Sequence, residues 1–245
     1  MKSLDKAFDI IELVCHMDGK PVTPTIVANK LDLNVATCMR SMKYFCERGY
    51  LEQVSRKDGY VAGPASLTFA DRQSKYSKII DASEEPIRTL ADELNNFINI
   101  SVLYKSMRYL LYMYSTHTKK QSGAKRISFD YEVATSRLLL AACSEKDCDD
   151  IIETAGMPGE KWDNIDNREA LLKKLNQIKE NTCISFFDQE INKWIIGGII
   201  KADGYPPAAI GFGISADANP KEAIKLTEKT VKRIENNLNS PKILF

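Results

Sequence analysis

Between Lys20 and Lys57 the chain places seven basic side chains, Lys20, Lys30, Arg40, Lys43, Arg48, Arg56 and Lys57, against three acidic ones, Asp32, Glu47 and Glu52. Such a local surplus of positive charge suits phosphate binding. The rest of the 245-residue chain returns the net charge to +1, in part through the acidic stretch SEKDCDDIIE from Ser144 to Glu153. Overall charge is therefore silent about a polyanion partner, while its asymmetry points to an N-terminal module that faces one. Other chemistries find less support. With two histidines, and six cysteines of which no pair is spaced C-x-x-C, no zinc pattern can be assembled. Cys15, Cys38, Cys46, Cys143, Cys148 and Cys183 are expected as reduced, buried thiols, most of them inside apolar helical rows. His16 lies in a helical row and His117 in a polar loop. No serine or cysteine sits in a nucleophile elbow, GIIKADG lacks phosphate-loop spacing, and Asp188 with Glu190 reads as a solvated turn. No catalytic residue, metal or cofactor is expected, and the chain does not read as an enzyme.

The basic residues need elements to hold them. Ser3 is placed to cap a helix with the apolar row Leu4, Ala7, Phe8, Ile11, Val14 and Cys15. Thr23 before Pro24 is an N-cap followed by proline at the first helical position, opening a short second helix with Val27, Ala28 and Leu31 inward. Asp32 stands at a tight turn that favours a left-handed residue, and Asn34 caps a third helix. The inward row of that helix is Cys38, Met42 and Phe45; Ala36, Arg40, Lys43 and Glu47 share the opposite face. Gly49 stops it, and YLEQV and YVAG flank a basic tip with Asp58-Gly59 as hairpin turn. Three helices and a hairpin make a winged helix-turn-helix. Its third helix enters the major groove and its wing reaches phosphates or the minor groove. The alternative on these residues is a winged-helix protein–protein interaction module without small-molecule sensing.

The segments SLDKAFDIIELV, TPTIVANKLDLNVATCMRSMKYFCERGYLEQV and DGYVAGPASLTFA together resemble the N-terminal domain of IclR-family transcriptional regulators. The correspondence runs through Ser3–Ala7, Glu47–Leu51 and Tyr60–Pro64, about sixty residues in order. Family members often begin the reading helix with Lys-Ser-Thr and turn into it on glycine. Here Val35, Ala36 and Thr37 stand in the first place and Asp32 in the second. Val35 and Ala36 lack the groups for the phosphate contact that the Lys and Ser would make. Their apolar surface suits thymine methyls, and Arg40 is the residue suited to guanine. The expected DNA-facing set is Thr25 and Lys30 on the second helix, Val35, Ala36, Thr37, Met39, Arg40 and Lys43 on the third, and Arg56 and Lys57 on the wing.

The remainder reads as an α+β domain. NISVLYKSMRYLLYMYST forms two strands turning at Lys105–Met107, and the stretch from Thr182 to Ser215 offers three more, with turns at Asp188–Asn192 and Asp203–Pro207. EVATSRLLLAAC, CDDIIETAG, REALLKKLNQIKEN and PKEAIKLTEKTVKRIENNLN are helical, giving a sensor-like domain with an antiparallel sheet flanked by helices. The IclR resemblance continues in SRLLLAACSEKD and in DQEINKWIIGGII with GYPPAAIGFGIS. It implies a winged helix-turn-helix domain at residues 1–64, a linker helix at 65–82 and a regulatory effector-binding domain at 83–245. Leu67, Ala70 and Ile79 or Ile80 form a stripe for a partner chain, so a homodimer or a dimer of dimers is expected on a pseudo-palindromic operator. The resemblance also implies a small effector, an organic, aromatic or sugar acid, held in a cleft by the sheet. By position the effector-binding candidates are Ser128, Phe129, Tyr131, Ala134, Thr135 and Ser136, then Asp188, Trp194, Gly197 and Gly198. The function so implied is that of a DNA-binding regulator, a repressor, under effector control. The start MKSLDKAFDIIELV has no signal-peptide pattern and no apolar run is long enough to span a membrane, so a cytoplasmic address is expected.

Overall fold

The computed structural model describes residues 2–17, 19–69, 74–118, 120–122 and 125–240, and divides the chain into two compact units, Met1–Arg72 and Gln73–Phe245. The first unit comprises α1 (Lys2–Cys15), α2 (Pro24–Leu31), α3 (Val35–Glu47), β1 (Leu51–Ser55), β2 (Gly59–Ala62) and a 3-10 turn at Pro64–Phe69. Its core is Ile10, Val14, Val22, Val27, Ala28, Cys38, Met42, Leu51 and Tyr60.

Local chemistry accounts for these boundaries. Thr23 Oγ1 accepts from the Ile26 amide at 3.3 Å, and Asn34 Oδ1 accepts from the Ala36 amide at 2.8 Å, so both expected N-caps form. Asp32 takes the left-handed conformation (φ 51°, ψ 50°), and the Leu33 amide reaches back to the Ala28 carbonyl at 2.9 Å. This is how a helix end closes when its carbonyls need donors. Helix α1 departs from expectation in two respects. It begins at Lys2, so Ser3 lies inside it. The buried row is Ile10 and Val14, flanked by Leu13 and Met17, while Leu4 and Phe8 are 62% and 57% exposed and Cys15 is exposed. Apolar residues occur at both phases of this helix, and periodicity alone does not choose between them.

The second unit contains α4 (Lys75–Leu94), β3 (Phe97–Tyr104), β4 (Met107–Ser115), β5 (Lys120–Ser122), β6 (Lys125–Ile127), α5 (Ala134–Ala142), α6 (Glu145–Ala155), α7 (Arg168–Lys179), β7 (Cys183–Asp188), β8 (Lys193–Ile200), β9 (Ala208–Ser215) and α8 (Pro220–Asn239). The strands form one antiparallel sheet in the order β5-β4-β3-β9-β8-β7, with β6 also pairing to β4. Helices α4 and α8 cover one face through Ile79, Ile87, Leu90, Val231 and Ile234. Helices α5, α6 and α7 cover the other through Leu138, Leu139, Ile151, Leu171 and Leu175. The expected α+β class, with a winged helix-turn-helix and an antiparallel sheet flanked by helices, is the observed one.

Helix α4 runs without a break through residues 82 and 83 and buries Pro86. The stretch expected as linker thus consists of the 3-10 turn and the first part of α4, with Ala70 outside the described residues. Of the expected partner stripe, Leu67 is 74% exposed, Ile80 is half-buried and Ile79 is fully buried in the core of the second unit. Ile79 therefore has no surface to offer a partner. Among the cysteines, only Cys38 and Cys148 are buried; Cys46, Cys143 and Cys183 are half-buried.

Candidate nucleic-acid interface and ligand cavity

In the first unit α3 has one buried face and one exposed face, and the exposed face mixes apolar and basic side chains. Cys38 and Met42 are buried, whereas Val35 (39% exposed), Met39 (52%), Ala36, Arg40 and Lys43 face outward together and Thr37 is half-buried. On α2, Thr25 and Lys30 are exposed. The wing tip is built by Ser55, whose Oγ accepts from the amides of Lys57 and Asp58 (3.2 and 2.8 Å) and donates to Asp58 Oδ2 at 2.7 Å. This closed turn displays Arg56 and Lys57 to solvent. The hairpin is tied to the helices by a bridge between Val22 and Tyr60, and at Gly59 (φ +99°) an added Cβ would lie 2.2 Å from the Val22 carbonyl oxygen. Only glycine fits there.

One cluster went unread in the sequence. Arg48, just past the end of α3, donates to the Tyr44 hydroxyl at 3.2 Å, and its guanidinium carbon lies 5.9 Å from the ring centroids of both Tyr44 and Tyr50. The i, i+4 spacing of an aromatic and an arginine was the available signal.

In the second unit a cavity of about 380 Å³ lies between the sheet and the start of α5. Its walls are Phe97 and Asn99 of β3, Arg108, Leu110 and Met113 of β4, Ile127 of β6, Val133–Thr135, Ile191, residues of β8 and Gly211–Gly213 of β9. Two features of the sheet shape it. A bulge sets both Leu111 and Tyr112 into the core beneath α4, so Met113 joins Arg108 and Leu110 on the cavity face. Glycines bring α5 close: a Cβ at Gly197 would lie 2.8 Å from Ala134 Cβ, and one at Gly211 would lie 2.5 Å from Thr135 Cγ2.

Of the sequence-derived effector candidates, Ala134 and Thr135 line this cavity. Gly197 contributes by admitting α5, while Gly198 sits on the opposite face, against Thr227 and Val231 of α8. Trp194 also lies on that face, packed edge-on to Phe187 at 5.3 Å. Asp188 caps the β7–β8 turn by accepting from the Glu190 and Ile191 amides (3.0 and 3.2 Å). Tyr131 is buried with its hydroxyl donating to the Gly156 carbonyl at 2.9 Å; Phe129 packs edge-on to it, and Ser128 is exposed. Burial pushes the Tyr131 phenol up to about 12, so it stays protonated. Ser136 is fully buried, and its Oγ has no hydrogen-bond partner. The cavity residues that sequence reasoning missed come from β3, β4, β6, β8 and β9, with Val133 and Ile191 beside them. For β4 the signal would have been alternation, which the bulge interrupts.

Arg108, half-buried, and the exposed Lys193 are the charged groups in this largely apolar wall. Arg108 donates to Thr135 Oγ1, its Nε is enclosed without an acceptor, and burial lowers its pKa while the field of Asp130 opposes that shift. Helix α5 beside it has Val133 as N-cap, with no side-chain hydrogen bond to its first turn.

No family model matches the chain. The HTH-type transcriptional regulator BhcR of Paracoccus denitrificans is 24% identical over 117 residues, which is 48% of this chain and 41% of that protein, so the match spans less than half of either. Solved structures match far more of the length. An IclR homolog of Microbacterium hydrocarbonoxydans, crystallised with 4-hydroxybenzoate, superposes with a TM-score of 0.76 at 16% identity, over 98% of this chain and 100% of the other. An IclR transcriptional regulator of Alicyclobacillus acidocaldarius gives 0.71 at 13% identity over 97% of each chain. The Thermotoga maritima IclR gives 0.64 at 17% identity, over 98% and 100%. The resemblance first seen in the N-terminal motifs therefore holds as architecture along nearly the whole chain, which has the fold of the IclR-type transcriptional regulators.

Proposed function

We propose that the chain is a sequence-specific DNA-binding transcriptional regulator, a repressor, which binds its operator as a homodimer or dimer of dimers under the control of a small-molecule effector. The observation that carries the DNA-binding half is the common outward exposure of Met39, Arg40 and Lys43 on α3, in a unit whose closed wing turn displays Arg56 and Lys57. The apolar start of the helix, Val35 and Ala36, is suited to methyl contacts, leaving Arg40 for a guanine edge and the wing cations for phosphates. The cavity beside α5 supports the effector half, as does the aromatic acid held by the Microbacterium structure. Thr25, Lys30 and Thr37 complete the expected DNA-facing set, and Ala134 and Thr135 belong to the expected effector set.

Gel-shift titration of the full chain on its own promoter region tests the reading against a protein-interaction module. Changing Arg40 and Lys43 to alanine together should abolish specific binding with the far-UV spectrum unchanged. Wild-type affinity should fall steeply between low and moderate salt, as counterions are released. Unchanged affinity in the double variant, or a flat salt titration, would instead favour a winged helix that binds another protein.

A further inference from the structure

The cavity of the second unit holds a half-buried cation, Arg108, without an ion-pair partner among the described residues. Its contact is the one to Thr135 Oγ1, and its Nε–H has no acceptor. A buried donor left unmet is costly, and a desolvated charge more so. Around it the wall is largely hydrocarbon, with the side chains of Phe97, Leu110, Met113 and Ile195. The uncapped first turn of α5 adds amide dipoles on the same side, through Ala134 and Thr135.

We infer that Arg108 is the anchoring and specificity-determining residue of the cavity, holding the carboxylate of a monocarboxylic acid whose compact aromatic or alicyclic body packs among Phe97, Leu110, Met113 and Ile195. This rests on reading the cavity as the effector site. The single charge follows from the wall itself. One guanidinium, with the field of Asp130 already on it, balances one negative charge; a dianionic phosphate would bring a second into hydrocarbon. A carboxylate supplies the acceptor that the guanidinium lacks, in a geometry suited to its planar fork. Lys193 also lines the cavity, but it is exposed and its hydrated ammonium has less to gain.

Calorimetric titration of the full chain with 4-hydroxybenzoate, phenylacetate and cyclohexanecarboxylate, each paired with its primary amide, tests this without any variant. At least one acid should bind, and its amide should bind about thirtyfold more weakly or worse, the loss expected when one partner of a desolvated charged pair is neutralised. Arg108→Gln should weaken the acid by a similar factor while leaving the amide unaffected, Arg108→Lys should recover part of the loss, and Lys193→Gln should change the acid by less than about threefold. Equal binding of acid and amide would overturn the role of Arg108 and leave the cavity a ligand site. No binding of any acid or amide at millimolar concentration would overturn both this inference and the effector reading.

Discussion

Removing the guanidinium of Arg137 should loosen the second unit by a calculable amount. This side chain of α5 is 8% exposed, and it makes two hydrogen bonds to backbone carbonyls. Its Nε donates to the Tyr131 carbonyl at 2.6 Å and its terminal nitrogen to the Lys161 carbonyl at 3.0 Å. Its guanidinium carbon sits 3.7 Å from the Phe186 ring centroid and 4.7 Å from that of Trp162. Burial pulls its pKa down to about 10, while Asp163, Asp130, Glu132 and Asp188 support the charge, so it remains a cation at neutral pH. Each hydrogen bond from a charged donor contributes about 1.5–3 kcal/mol, and Arg137→Ala strands two carbonyls besides. Relief of the desolvated charge offsets part of that loss, leaving a net destabilisation of about 3 kcal/mol. For a unit of this size that corresponds to a drop in melting temperature of about 6–12 °C. Arg137→Lys should recover less than half, because an ammonium lacks the planar fork that reaches two carbonyls while its carbon contacts two rings. Thermal melts followed by circular dichroism and by the emission of Trp162 and Trp194 measure both. A shift under about 2 °C for the alanine variant, or a lysine variant as stable as wild type, would refute this account of the tie.

Two further outcomes follow from backbone geometry in the first unit. Gly59→Ala should destabilise that unit by about 1–3 kcal/mol in a urea titration, since its φ of +99° and the 2.2 Å approach to the Val22 carbonyl oxygen leave no room for a Cβ; an unchanged midpoint would remove the bridge from the account. Asp32→Gly should stabilise it by about 0.5 kcal/mol, because release of left-handed strain and of an acid at the end of α2 outweighs the added chain entropy; a lower urea midpoint would show that the Asp32 side chain contributes something the backbone does not explain.

The parts of this molecule legible in sequence were those governed by local chemistry. Thr23-Pro24, Asp32, Asn34 and Asp58-Gly59 each act within a few residues, and each expected cap or turn forms where its side chain stands. What was not legible depends on tertiary choice. The phase of α1 is set by which apolar row meets α3, so Ile10 is buried and Phe8 is not. Pro86, a residue type that ordinarily ends a helix, is accommodated inside α4. The cavity was misjudged for a related reason. Placing Trp194, Gly197 and Gly198 together ignores that successive strand residues face opposite sides, so Gly197 meets α5 and Gly198 meets α8. The bulge at β4 then shifts Met113 onto a face that strict alternation from Arg108 denies it.

These geometric facts bear on how a ligand could be read out. The cavity wall formed by Val133, Ala134 and Thr135 is the first turn of α5, pressed onto the sheet at Gly197 and Gly211. Three residues after Ala134, Arg137 ties the same helix to the Tyr131 and Lys161 carbonyls and to the ring of Phe186 on β7. A ligand at Arg108 would therefore press on Thr135, a residue held from behind by a glycine contact and from the side by the Arg137 tie. Such a wall is rigid rather than compliant. Binding energy spent there is not dissipated in ordering a loose loop, and a displacement of Thr135 would be carried along α5 as a body. Arg137→Lys should on this reasoning weaken acid binding at Arg108 although Arg137 does not line the cavity. Intact affinity in a loosened Arg137→Lys protein would show instead that the wall is formed by the sheet alone.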